Sequence, residues 1–168
     1  PAIATQAEDL IAGGVKELIH VGYAGGLQPE LVPGEIILTD GAFNDTAVAR
    51  LYGYDYEIIC SSKDLTNEIE EVITSAEIPY KRGLHWTTDA GYRETWGQVM
   101  DYRNKGALCV EMEGVGLFTI ANYRKCVATG IYVVSDVYSE DDWKLGWEGN
   151  DIKRAVGAVI DMIIESIR

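Results

Sequence analysis

Short apolar runs of strand length alternate along this chain with longer segments of helical spacing, and that alternation restricts it to an α/β architecture. Ile3, Ala7, Leu10 and Ile11 predict a helix over residues 2–14, stopped by a glycine pair. A strand over 16–21 follows, and the glycine-rich run Gly22-Tyr23-Ala24-Gly25-Gly26 reads as a loop at its C-terminal end, where open α/β sheets place ligands. A second strand is expected over 35–39, running on toward Asn44. Leu65, Ile69, Val72 and Ile73 predict a helix over 64–76 that ends before Pro79. Then come a strand over 82–87, a helix over 95–104, a short strand over 107–110, a helix over 113–123 and a long apolar strand over 126–136. A last helix begins near residue 150, with Ile152, Val156, Val159, Ile160, Ile163, Ile164 and Ile167 on one broad face. The expected fold is a three-layer αβα arrangement with a central mixed, partly parallel twisted sheet, in a single domain over 1–168. The one polar, poorly periodic stretch, 139–150, holds Trp143 and Trp147, either as a lid over a ligand or as an anchor to the core.

Composition narrows the function class. With 168 residues, 47% of them hydrophobic, the chain can bury a real core. Its 14 Lys and Arg against 27 Asp and Glu give a net charge of -13, which opposes nucleic acid or an anionic membrane as partner. Cys60, Cys109 and Cys126 are odd in number and widely spaced, so a disulfide framework is not expected and a reduced, cytoplasmic setting is. No apolar run approaches a membrane span of roughly 18 residues, and no basic-then-apolar signal segment is visible. Two histidines, His20 and His85, without HExxH or clustered Cys and His, give no reason to expect a metal or other cofactor.

Three clusters carry possible chemistry, each where a strand ends. In the first, residues 22–26, glycines let backbone approach a ligand, but the GxGxxG and P-loop spacings are absent. The second is Val110-Glu111-Met112-Glu113-Gly114, two carboxylates around a methionine between a strand and an apolar helix; one Glu capping that helix with Met112 in the core is the plain alternative. The third is Ser135-Asp136, an acid closing an apolar strand, a costly placement unless the acid is paired or useful.

Taken together, VGYAGGLQPELVPGEIILTDGAFND, TTDAGYRE, VEMEG before an apolar helix, and VVSD resemble the nucleoside phosphorylase superfamily, which holds purine nucleoside phosphorylases, uridine phosphorylases and methylthioadenosine nucleosidases. The 19 positions from Tyr92 to Glu111 and the 23 from Glu113 to Asp136 match the spacing of the hexameric purine phosphorylases. The resemblance implies that Glu113 accepts hydrogen bonds from the ribose 2′- and 3′-hydroxyls, with Met112 against the sugar and Tyr92 packing on sugar and base. Glu111, Ser135, Ala24 and Gly25 would complete the nucleoside site. Asp136 would give a hydrogen bond or proton to purine N7; the Gln/Arg pair of uridine-specific members is not seen, which favours a purine. The implied reaction displaces the base from C1′ through an oxocarbenium-like transition state, with phosphate as co-substrate in phosphorylases and water in nucleosidases. Self-association, from dimer to hexamer, is also implied.

The departures concern the nucleophile. Where the phosphorylases hold phosphate with an Arg and, three residues on, a Ser or Thr, this chain has His20 and Tyr23, weaker anion ligands. The family's remaining phosphate ligands lie in N-terminal strands that precede the region matched by Pro1, so the chain is expected to be N-terminally truncated relative to the family. The Arg expected 13 residues after Asp136 falls at Gly149, with Lys144 and Arg154 the nearest cations. Three readings follow: a purine nucleoside phosphorylase, a hydrolytic nucleosidase, or a catalytically inactive nucleoside-binding homologue.

Overall fold

The strand that organises the fold is β6 (Val127–Tyr138), whose residues 128–137 are all buried. It is described here from a computed structural model covering residues 2–138, 143–145 and 150–166. Burial on both faces explains why β6 reads as a mostly apolar run up to Val134 rather than an alternating one. It runs parallel to β1 (Glu17–Gly26) along nearly their whole length, while its other edge pairs antiparallel with β2 (Ile36–Asp45) at 131–133 and with β7 (Trp143–Leu145) at 136–138. Along the sheet the order is β3 (Ile58–Cys60), β2, β4 (Tyr80–Thr88), β5 (Cys109–Glu111), β1, β6, β7. The extra β2–β6 pairing closes β2, β4, β5, β1 and β6 into a ring, so this mixed sheet curls toward a barrel.

Helices cover the sheet on two sides, giving the expected three layers. On one side α1 (Ala2–Ala12), α2 (Val48–Leu51) and α5 (Gly114–Arg124) pack Ala4, Ala7, Val48, Val115, Phe118 and Ile120 into a core cluster. Residues 114–121 are buried all round, because α5 lies between the sheet and α1. On the other side α3 (Lys63–Ser75) and α6 (Asn150–Ser166) bury Leu65, Ile69 and Ile73 against Ile152, Val159, Met162 and Ile163. Leu65, Ile69, Ile73, Ile152, Val159 and Ile163 are among the residues whose spacing predicts these helices; Met162 joins them, whereas Ile160 and Ile164 of the expected face are exposed. Helix α4 (Trp96–Asn104) opens on a capping box between Thr95 and Gln98.

One expectation fails in an informative way. Residues 22–26 are not a loop but the second half of β1, paired with Tyr132 through Val137 on β6, with a bulge at Ala24/Gly25. The glycines admit neighbours rather than a turn: a Cβ at Gly25 would lie 2.7 Å from the Tyr138 ring, and one at Gly26 3.1 Å from both Val134 and Val137. Short elements at 48–51 and 58–60 are also present without a sequence signal of their own. The suggested lid or anchor at 139–150 lies outside the described residues, apart from the backbone of β7 and the first residue of α6. No helix among the described residues is long and apolar enough to cross a membrane.

Candidate functional site

The three sequence clusters meet because β1 crosses the end of β5 while running alongside β6. Gly25 is the pivot, opposite Val110 on β5 and Asp136 on β6. The turn after β5 therefore stands beside the C-terminal end of β6.

That turn is built on a buried polar network. Glu111 is 5% exposed. Its Oε1 accepts hydrogen bonds from Thr87 Oγ1 at 2.5 Å and His85 Nε2 at 3.0 Å, and its Oε2 from the N–H groups of Glu113 and Gly114 at 2.9 and 2.8 Å. On the far side of the ring, His85 Nδ1 is 2.6 Å from Thr39 Oγ1. Thr87 Oγ1 also takes the Val115 N–H, so three strands and the helix start are tied together. Burial alone would raise the Glu111 pKa; the charge and hydrogen bond of His85, with those from Thr87 and the Glu113 N–H, outweigh it and leave it below the ordinary value. A carboxylate at the start of α5 suits the helix dipole as well. Gly114 is required by this packing, since a Cβ there would be 2.4 Å from His85 Nε2 and 3.0 Å from Glu111 Oε1.

The capping alternative is thus half right. Glu111 caps α5, but Met112 is 42% exposed rather than in the core. Glu113, freed from capping, is partly buried, and its Oε2 accepts the Met112 N–H at 3.2 Å. Desolvation first, and the neighbouring Glu111 second, raise its pKa. Asp136 is buried and accepts the Ser135 hydroxyl at 2.5 Å, while Ser135 also lies 3.3 Å from the Ala24 carbonyl. Tyr92, in the 3-10 turn Gly91–Arg93, is fully exposed.

His20 and Tyr23 lie on β1 before Ala24 and Gly25. His20 is largely buried, edge-on to Tyr132 at 5.6 Å, and its Nδ1 has no hydrogen-bond partner among the described residues. Burial is the main cause that lowers its pKa, so the ring is neutral at pH 7. Tyr23 is exposed. The buried Cys109 thiol is pushed well above its ordinary pKa by burial and then by Glu111, which removes it as a nucleophile. Among the described residues no cluster of His, Cys, Asp or Glu is arranged to hold a metal ion.

Sequence reasoning misses the supports, Thr39, His85 and Thr87, and two groups near Asp136, Glu94 and Tyr138. The available signal is polarity within core strands, Thr39 after the apolar start of β2 and His85 and Thr87 on either side of Trp86 in β4, polar groups that burial obliges to find partners. Chemically, the arrangement offers a half-buried carboxylate and an open methionine on one wall, and a buried acid on the other. Such walls suit a polyhydroxylated ring joined to a polar heterocycle.

Comparison with known proteins supplies the family. In curated sequences, the chain is 32% identical over 139 residues to a "Purine nucleoside phosphorylase DeoD-type" of Exiguobacterium sibiricum, covering 81% of this chain and 59% of that protein. It is 34% identical to the protein of the same name from Caldanaerobacter subterraneus subsp. tengcongensis, covering 81% and 60%. The chain thus spans about three fifths of the length of these relatives. A solved structure described as the P knowlesi homolog of P falciparum PNP superposes with a TM-score of 0.82 at 24% identity, over 96% of this chain and 65% of that one, which supports the fold. Residues 1–165 match the family model described as Phosphorylase superfamily, and the chain belongs to that superfamily.

Proposed function

We propose that the protein binds a purine nucleoside at the converging ends of β1, β5 and β6 and, with phosphate as second substrate, breaks the N-glycosidic bond to release the base and ribose 1-phosphate. The observation that carries this reading is the Glu111-anchored turn, which presents Glu113 and Met112 across Gly25 from Asp136. Glu113 accepts the ribose 2′- and 3′-hydroxyls, Met112 lies on the sugar, and Tyr92 folds onto sugar and base from its exposed turn. Ala24 and Gly25 supply the backbone floor. As the bond to C1′ stretches, negative charge grows on the base, and Asp136, oriented by Ser135, stabilises it at N7 by a hydrogen bond or proton. Glu111 acts through the turn it holds. His20 and Tyr23 stand where phosphate would be met, and no cofactor is invoked.

A second reading, hydrolysis with water as nucleophile, draws on the neutral His20, a poor anchor for a phosphate dianion. Self-association is also proposed, supported by Leu51, Tyr56 and Tyr123, large apolar side chains exposed around α2 and the end of α5. Base release from inosine and adenosine, measured with and without phosphate, tests the reading. Phosphate-dependent release is expected. Release that ignores phosphate selects hydrolysis, and binding without release selects the inactive homologue.

A further inference from the structure

The base end holds more acid than the proposed reaction uses. Glu94 follows the 3-10 turn, and a Cβ at Gly91 would lie 3.6 Å from both its Oε1 and Met112 Sδ. Its Oε2 is buried with no hydrogen-bond partner among the described residues. Tyr138, the last residue of β6, donates its hydroxyl to the Glu94 carboxylate and lays its ring over the gap at Gly25. From the Cβ position of Gly25, Tyr138 Cε2 is 2.7 Å away and Asp136 Oδ2 3.4 Å. Met112, Glu94, Tyr138 and Asp136 therefore form one continuous arc. Burial raises the Glu94 pKa, and the nearby Asp136 carboxylate adds to the rise.

An oxygen buried without a donor costs free energy that a ligand N–H would recover. Glu94 Oε2 is therefore an acceptor suited to a ligand N–H, beside Asp136, the group proposed above to donate to N7. Along the corresponding edge a 6-aminopurine presents an acceptor at N7 and a donor at the exocyclic amine, whereas a 6-oxopurine presents two acceptors, N7 and O6. A donor beside an acceptor fits the first. The second leaves a carboxylate facing O6.

We infer that Glu94, oriented by Tyr138 beside Asp136, is a specificity-determining residue that selects 6-aminopurines over 6-oxopurines at this site. The inference rests on the nucleoside reading above and specifies its base. Calorimetric titration of the unmodified protein near pH 7 should show adenine binding roughly tenfold or more tighter than hypoxanthine, the scale of one hydrogen bond to a charged group. Glu94→Gln, whose amide both donates and accepts, should bring the two bases within about threefold. In the unmodified protein, lowering the pH toward 5 should strengthen hypoxanthine relative to adenine, because a proton on Glu94, whose pKa burial already raises, supplies the donor O6 needs. Asp136 and Tyr138 are the ionisable groups facing Glu94, and this arm needs no variant to fold. Equal or reversed binding by the unmodified protein, or a preference unchanged in Glu94→Gln, overturns the inference and leaves the nucleoside reading standing. Failure of both bases, and of adenosine and inosine, to bind overturns that reading and the inference with it.

Discussion

His20 and Gly25 lie five residues apart on β1, in opposite surroundings. At Gly25 the missing side chain is replaced by converging groups: Tyr138, Val110 and Asp136 crowd the Cβ position, and Glu94 and Met112 continue the arc. At His20 the strand carries a bulky ring, neutral and edge-on to Tyr132, with one nitrogen unpartnered among the described residues, and Tyr23 is exposed. One end of the strand is built around a space lined by acids; the other is filled by its own side chains. On the proposed function, the difference separates nucleoside recognition, assigned to Glu113, Met112 and Asp136, from nucleophile binding, for which β1 offers little.

The largest test of that contrast is a pair of substitutions. On the proposed roles, Asp136→Asn should lower kcat/KM for purine nucleosides by roughly a hundredfold or more, the usual loss when a general acid is removed. His20→Ala should change the phosphate KM by less than about threefold, since a neutral ring contributes little to a dianion. Steady-state rates at varied phosphate measure both. A hundredfold loss in His20→Ala with little effect in Asp136→Asn would invert the comparison.

Next in size is the base of the turn. Gly114→Ala places a methyl 2.4 Å from His85 Nε2, and His85 cannot yield because Thr39 and Glu111 hold both its nitrogens. The expected cost is about 3 kcal/mol, read as a lower midpoint in urea unfolding, with loss of nucleoside binding. An unchanged midpoint would mean that the network under Glu113 is softer than its distances imply.

How much of this was legible in the sequence depends on how local each cause is. The helix α3 is set by Leu65, Ile69 and Ile73 four residues apart, and Ser135-Asp136 stands out as polarity at the end of an apolar strand; both are local signals. The continuation of β1 through Gly22 to Gly26 is not local. Glycine reads as a turn, yet these positions are strand because β6 supplies partners and Tyr138, Val134 and Val137 fill the vacant Cβ positions. The site divides the same way. Glu113 and Asp136 are visible from motif spacing, whereas the division of labour between Glu111 and Glu113 depends on Thr39, His85 and Thr87, of which the bonded pair Thr39 and His85 lies 46 residues apart in sequence. Glu94 and Tyr138 meet only because a 3-10 turn and the last residue of β6 close over the same gap.

The smallest expected effect concerns the tyrosine on the other rim. Tyr138 is half-buried and bonded to Glu94, whereas Tyr92 is fully exposed, so the two should respond differently to truncation. Tyr92→Ala should alter stability by less than about 0.5 kcal/mol, as for surface positions without contacts. It should nevertheless raise the nucleoside KM about fivefold, since an aromatic ring that folds onto a bound base is worth on the order of 1 kcal/mol. Thermal unfolding of the free protein and nucleoside titration of the same sample separate the two readouts. A drop in stability would show that Tyr92 already packs against its own chain, and an unchanged KM would remove it from the site, leaving base recognition to the arc of Met112, Glu94, Tyr138 and Asp136.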